Sequence, residues 1–132
     1  TYNLKFKPNR TIADWLCSDE AELDKYLADP LVRKDISAGL FWELLGSMKR
    51  TGTAHAYAKW DKDMPIMLIY GGNDPVGDAG KGVVRIYEQM KKAGLKKVEL
   101  WGIPDARHDI FHEEASGTAE LVRHEISDWL EV

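Results

Sequence analysis

Apolar positions recur at helical spacing through roughly the first sixty residues, and the pattern changes at Met64-Pro65, where a proline introduces a continuous apolar run. Before that boundary, Leu23, Tyr26 and Leu27 share one face of a predicted helix. Asp19, three residues ahead of Glu22, opens this helix in capping-box fashion, and Pro30 ends it. A second helix is predicted from about Ser37, with Leu40, Phe41, Leu44, Leu45 and Met48 at helical spacing; Arg50-Thr51-Gly52 supplies a basic last turn and a glycine stop. After the boundary, Ile66-Met67-Leu68-Ile69-Tyr70 is apolar on both faces, as a parallel strand covered on both sides must be. The loop Gly71 to Asp78 leads into a helix with Val83, Ile86, Tyr87 and Met90 on one face, closed by Gly94. Lys97 to Trp101 alternates as a second strand, and after a loop through Glu114 a last helix carries Val122, Ile126, Trp129 and Leu130.

The pattern therefore divides the chain into a helical segment, 1–62, and an α/β segment, 63–132, made of one βαβ unit and a closing helix. Two parallel strands leave two open edges, so the sheet reads as incomplete. The remaining strands are expected from an absent segment, from a second chain, or from stretches read here as helix.

Composition narrows the class. At 132 residues the chain is one domain's worth of sequence, and 44% hydrophobic with 30% charged residues excludes disordered, collagen-like and disulfide-scaffold proteins. A formal charge of -4 without blocks of one sign offers nothing to a phosphate backbone or an anionic membrane, so nucleic acid is excluded as a partner. The lone Cys17 forms no internal disulfide, and no apolar run reaches the roughly 18 residues that span a bilayer. A reducing, cytoplasmic setting is expected. The sequence begins at Thr1 without an initiator Met and reads as an internal start, which leaves upstream targeting signals open.

In an open α/β sheet, reactive groups collect in the loops at the carboxyl ends of the strands. Those loops hold Asp74, in Gly-Gly-Asn-Asp-Pro, and His108. An Asp that fixes the tautomer of a His acting as general base is the supporting pair of a nucleophilic triad. The competing readings are an ordinary turn aspartate and a solvated loop histidine.

Residues 64 to 132, with Met64-Pro65-Ile66-Met67-Leu68-Ile69-Tyr70-Gly71-Gly72-Asn73-Asp74-Pro75-Val76-Gly77 and then Pro104-Asp105-Ala106-Arg107-His108-Asp109-Ile110-Phe111-His112-Glu113, resemble the end of an α/β-hydrolase. The resemblance is closest to the lysophospholipase and monoacylglycerol lipase-like group of S33 serine aminopeptidase type. It implies that Asp74 is the triad acid and His108 the triad base. Phe6 to Thr11, Asp14-Trp15-Leu16, Asp19 to Glu22 and Tyr26 to Pro30 resemble the helical cap that this group inserts over its active site. The fold class implied is a partial α/β-hydrolase fold, parallel strands with flanking helices preceded by a cap. The function implied is hydrolysis of carboxylic esters of hydrophobic acyl groups, on a lipid or other small ester, with no cofactor and no metal.

The sequence departs from the family at the nucleophile, because no Gly-x-Ser-x-Gly occurs among its five serines. Gly46-Ser47-Met48, the nearest imitation, has Leu45 and Lys49 where the glycines belong and reads as helix surface. No glycine run suited to an oxyanion hole precedes the cap. The chain thus reads as the C-terminal half of a serine hydrolase, inactive alone, its serine supplied by a missing N-terminal part or a second chain.

Other readings compete with this one. His108-Asp109-Ile110-Phe111-His112 imitates the two-histidine helix of zinc hydrolases, but Pro104 and the lack of a helix start before His108 favour a loop. Gly77 to Gly82 imitates a phosphate-binding loop, yet has Pro75 where its first glycine belongs and Gly82 in place of Ser or Thr. Asp78 is the fallback acid. His55 and His124 read as solvated, Cys17 as a small buried residue, His112 as lying near the mouth of the site, and Glu113 and Glu114 as a solvated acidic turn. The stripe Leu40, Phe41, Trp42, Leu44, Leu45 and Met48 reads as packing, with an acyl-chain pocket as its alternative. A non-catalytic binding module using the open sheet edge is the alternative function.

Overall fold

The computed structural model describes residues 2–32 and 36–131. A 3-10 helix over Tyr2–Phe6 opens the chain, followed by α1 (Glu20–Ala28), α2 (Ala38–Thr51), the short α3 (Ala54–Tyr57), β1 (Ile66–Gly71), α4 (Lys81–Lys92), β2 (Val98–Ile103), a 3-10 turn over Ile110–His112, and α5 (Thr118–Leu130). The predicted cap at Asp19 forms, and Ser37, the expected start of the second helix, caps it as well. The Asp19 carboxylate accepts from the N–H of Ala21 and Glu22, and Ser37 Oγ accepts from Leu40 N–H, each satisfying donors the helix leaves unpaired. Gly94 closes α4 at φ +91, in the left-handed region that favours glycine. Gly52 ends α2 differently, at φ -82; a Cβ there would lie 2.9 Å from the Met48 carbonyl.

The two strands form one parallel ladder. Ile66 N–H donates to Lys97 O at its start and Gly72 N–H to Ile103 O at its end, with the same offset at both, as only parallel strands give. The second strand runs two residues further than the alternation predicted, because the ladder continues until Gly72 meets Ile103. Residues 66–70 are half-buried rather than enclosed on both faces, since each strand has a single ladder neighbour among the described residues.

The chain forms two compact units. One, Pro30–Ile69 with Lys81–Trp101, centres on Tyr57, Met90, Leu95 and Val98, with Ile66, Leu68, Ile86 and Tyr87 packed around them. The amphipathic face read for α4 thus lies where periodicity put it. The other, Thr1–Asp29, Tyr70–Gly80 and Gly102–Val132, is built on Ala13, Cys17 and Leu23, and also buries Ile103, Ala106, Ile110, Ala119 and Val122. Leu130, expected on the buried face of α5, is exposed.

The stripe of α2 is a correction to the packing expectation. Leu40, Phe41, Trp42, Leu44, Leu45 and Met48 are all exposed, and α2 has no buried residue. Amphipathic spacing requires only that a helix present an apolar face; it does not name what covers it. Among the described residues, no helix is long and apolar enough to cross a membrane.

Candidate active site

Glycines bring the two strand-end loops together. A methyl group on Gly71 would overlap the Arg107 carbonyl, and one on Gly72 would lie 2.5 Å from the Pro104 carbonyl, so the loop after β1 lies against the loop after β2 only where side chains are absent. Asn73 stitches the contact. Its N–H donates to Ala106 O at 2.9 Å, its side-chain amide donates to Asp105 O, and its Oδ1 accepts from Lys5 Nζ at 3.0 Å.

Asp74 follows directly. It is buried, with 9% of its surface exposed, and its Oδ1 accepts from the N–H of Val76 at 2.8 Å. The turn role suggested by Asp-Pro-Val-Gly is therefore real, but it occupies one oxygen only. Oδ2 lies 3.0 Å from His108 Nδ1. The His108 side chain is 39% exposed. Asp78, the fallback acid, is exposed on the outside of a turn in which Asp78, Ala79 and Gly80 all have positive φ.

His108 is held from a segment far away in sequence. Its N–H donates to Trp15 O at 3.4 Å, the next N–H, of Asp109, donates to Leu16 O at 2.7 Å, and the Trp15 ring lies 5.2 Å from the imidazole, centroid to centroid. Tyr2 continues the aromatic row against Trp15. The Arg107 guanidinium donates to the carbonyls of Asp14 and Cys17 and lies over the Phe6 ring, 4.4 Å from its centroid. Asp14 shapes this segment by accepting from the N–H of Arg10 and Thr11 and from the Thr11 hydroxyl. Burial acts to raise the Asp14 carboxyl, but those hydrogen bonds outweigh it and hold the group below its usual range. A cleft of about 130 Å³ lined by Phe6, Arg10, Asp14, Leu23 and Arg107 lies beside these braces, and neither Asp74 nor His108 lines it.

One sequence reading is corrected here. Glu113 is not part of a solvated acidic turn: it is 1% exposed and accepts three hydrogen bonds, from Arg107 N–H, Ser18 N–H and the Ser18 hydroxyl. Glu114 next to it is solvated as read, paired with Arg123 at 2.9 Å. The helix that a zinc reading of His108 and His112 requires does not form; His108 lies in a bend, His112 in a 3-10 turn, and His112 Nδ1 faces its own carboxylate, Asp109, at 2.9 Å. No group of three or more potential metal ligands occurs among the described residues. His55 and His124 are exposed, and Ser47 lies on α2, as read. Cys17 is buried and free, and burial pushes its thiol up to about 11.

Two loops at strand carboxyl ends, one bringing a buried Asp to a His on the other, are the arrangement of an α/β-hydrolase. The structure is similar to that of a highly thermostable carboxyl esterase from Bacillus coagulans, solved in complex with glycerol, with a TM-score of 0.84 and 21% identity over 98% of this chain. The chain spans 41% of that esterase's length. No curated protein sequence matches. The family of serine aminopeptidases, S33, matches residues 2–115, and the chain belongs to this family of α/β-hydrolases.

Proposed function

We propose that this chain supplies the acid and the base, Asp74 and His108, of a serine hydrolase that cleaves carboxylic esters of hydrophobic acyl groups, the lysophospholipase or monoacylglycerol lipase type of reaction. The observation that carries the reading is the 3.0 Å contact from Asp74 Oδ2 to His108 Nδ1. A carboxylate there keeps the proton on Nδ1, which leaves the Nε2 lone pair as the base, and it stabilises the imidazolium once that base is protonated. Nε2 takes the proton of a serine hydroxyl as the serine attacks the ester carbonyl, then delivers it to the leaving alcohol. A water deprotonated by the same nitrogen attacks the acyl-enzyme, releases the acid and restores the serine.

The serine comes from outside this sequence. None of its five serines stands in Gly-x-Ser-x-Gly, and Ser47, the nearest imitation, lies on α2 and accepts from Arg50 at 3.0 Å. Residues 1–62 then correspond to the cap segment of such a hydrolase. Family membership and the likeness to an esterase fold support the reaction class.

Fluorophosphonate labelling, read by intact mass, tests this. The 132-residue chain is expected to stay unlabelled, while the full-length protein labels on a serine outside it. An adduct on any of the five serines here would overturn the division of the triad.

A further inference from the structure

Glu113 is the most enclosed charged side chain among the described residues, and the proton transfers above make no use of it. A carboxylate in such a place is costly unless donors replace its water, and here three do. Oε1 accepts from the N–H of Arg107 at 2.9 Å, the residue before His108; Oε2 accepts from both the N–H and the hydroxyl of Ser18, the N–H at 2.9 Å. The carboxylate therefore spans two stretches of backbone that already meet. On one side stand Arg107, His108 and Asp109; on the other, residues 14–18, where the carbonyls of Asp14, Trp15, Leu16 and Cys17 accept from the Arg107 guanidinium and from the N–H groups of His108 and Asp109.

The contacts at this junction differ in strength. The N–H to Trp15 O bond of His108 is long, at 3.4 Å, so it fixes the imidazole loosely by itself. The bonds to Glu113 are charge-assisted, and they fix the backbone on either side. A buried apolar residue of similar size would fill this space but accept from none of the three donors.

Building on the assignment of Asp74 and His108 as acid and base, we infer that Glu113 is a positioning residue of the reaction, tying the backbone ahead of His108 to Ser18 so that the imidazole meets Asp74. It touches neither substrate nor the reacting atoms. Its effect runs through the orientation of His108, and a misplacement of a catalytic group by an ångström costs about a hundredfold in rate.

The test uses the full-length protein and the variants Glu113→Gln, Ser18→Ala, His108→Ala and Asp74→Asn. Glu113→Gln keeps the size but turns an NH2 group toward donors that need an acceptor. Folding is checked by near-UV circular dichroism, hydrolysis of a short-chain nitrophenyl ester gives kcat and KM, and proton NMR follows the downfield Nδ1–H of His108, identified by its loss in His108→Ala. We expect Glu113→Gln to lower kcat about tenfold or more with KM within about twofold, and to broaden or remove the Nδ1–H signal. Ser18→Ala should do the same to a smaller degree. A folded Glu113→Gln with wild-type kcat and an unchanged Nδ1–H signal overturns the inference. If that variant does not fold, unchanged kcat and signal in Ser18→Ala overturn it instead. Failure of the underlying reading looks different, because His108→Ala and Asp74→Asn would then hydrolyse the ester at the wild-type rate.

Discussion

Asp74 faces two partners at once: Oδ2 lies 3.0 Å from Nδ1 of His108, while Oδ1 accepts from the N–H of Val76 two residues on. The second bond locks the carboxylate in its own turn and so aims the first. An aspartate committed only to the turn would leave His108 unsupported, and one free of the turn would sample other rotamers. Asp74→Asn should therefore keep the turn while disturbing the tautomer of His108. In the full-length protein we expect kcat/KM for an ester to fall by about three to four orders of magnitude in both Asp74→Asn and His108→Ala. Steady-state hydrolysis decides it, and a rate near wild type in either variant rejects the pair.

A thiol enclosed as Cys17 is should be inert in the folded protein. Burial raises it from 9.0 to about 11, so at pH 8 about one thiol in a thousand is ionised. Alkylation by iodoacetamide followed by mass should be slow without denaturant and fast with it. A thiol harder to ionise in the folded state gives stability that is complete below pH 9 and is lost as the pH rises toward 11. Urea midpoints across that window should fall more in wild type than in Cys17→Ala.

His112 offers an opposite case at the surface. The hydrogen bond from its Nδ1 to Asp109 raises its pKa above 6.5, and burial opposes this only in part. The stabilisation is complete below pH 6.5 and disappears as the pH rises through the folded value. In Asp109→Asn the NMR titration of His112 should return toward the ordinary histidine range, and an unmoved titration would show that the pair does not set it.

Tyr70 lies between two glycines. A Cβ on Gly102 would stand 2.6 Å from its ring, and one on Gly80, at φ +86, would overlap the ring outright. Gly80→Ala should cost about 2–4 kcal/mol, part from the left-handed backbone and part from the clash. Tyr70→Leu in the same chain should remove the clash and leave the backbone part, about 1–2 kcal/mol. Urea denaturation of the two singles and the double closes the cycle.

The exposed stripe of α2 predicts a different response from a core helix. Leu44→Lys with Met48→Lys should change stability by no more than about 0.5 kcal/mol, since neither side chain is buried, while binding of a hydrophobic dye falls. A loss of several kcal/mol would mean that these residues are packed.

What was legible in the sequence was local. Asp19 and Ser37 announce their helices because a cap is a bond between near neighbours, and the run from Ile66 to Tyr70 announces a strand because its residues carry the pattern themselves. The proximity of Asp74 and His108 was legible for another reason, their places after successive strand ends. Glu113 was not. Nothing in Phe-His-Glu-Glu separates its buried glutamate from the solvated Glu114, since the difference lies in Ser18 and Arg107, which the local pattern does not contain. Likewise Trp15 gives no sign, alone, that its ring will lie on His108. The α2 stripe shows the reverse failure, a clear period whose partner surface no period can name.

The bonds between residues 14–18 and 107–113 join residues ninety or more positions apart. Closing so large a loop costs chain entropy that is recovered only when its last contact forms. A nascent polypeptide therefore carries Asp74 early and has His108 held against residues 14–18 only after residue 113 has left the ribosome. A truncation that removes residues 14–18 leaves Asp74 and His108 in the chain and takes away the brace on the backbone around His108.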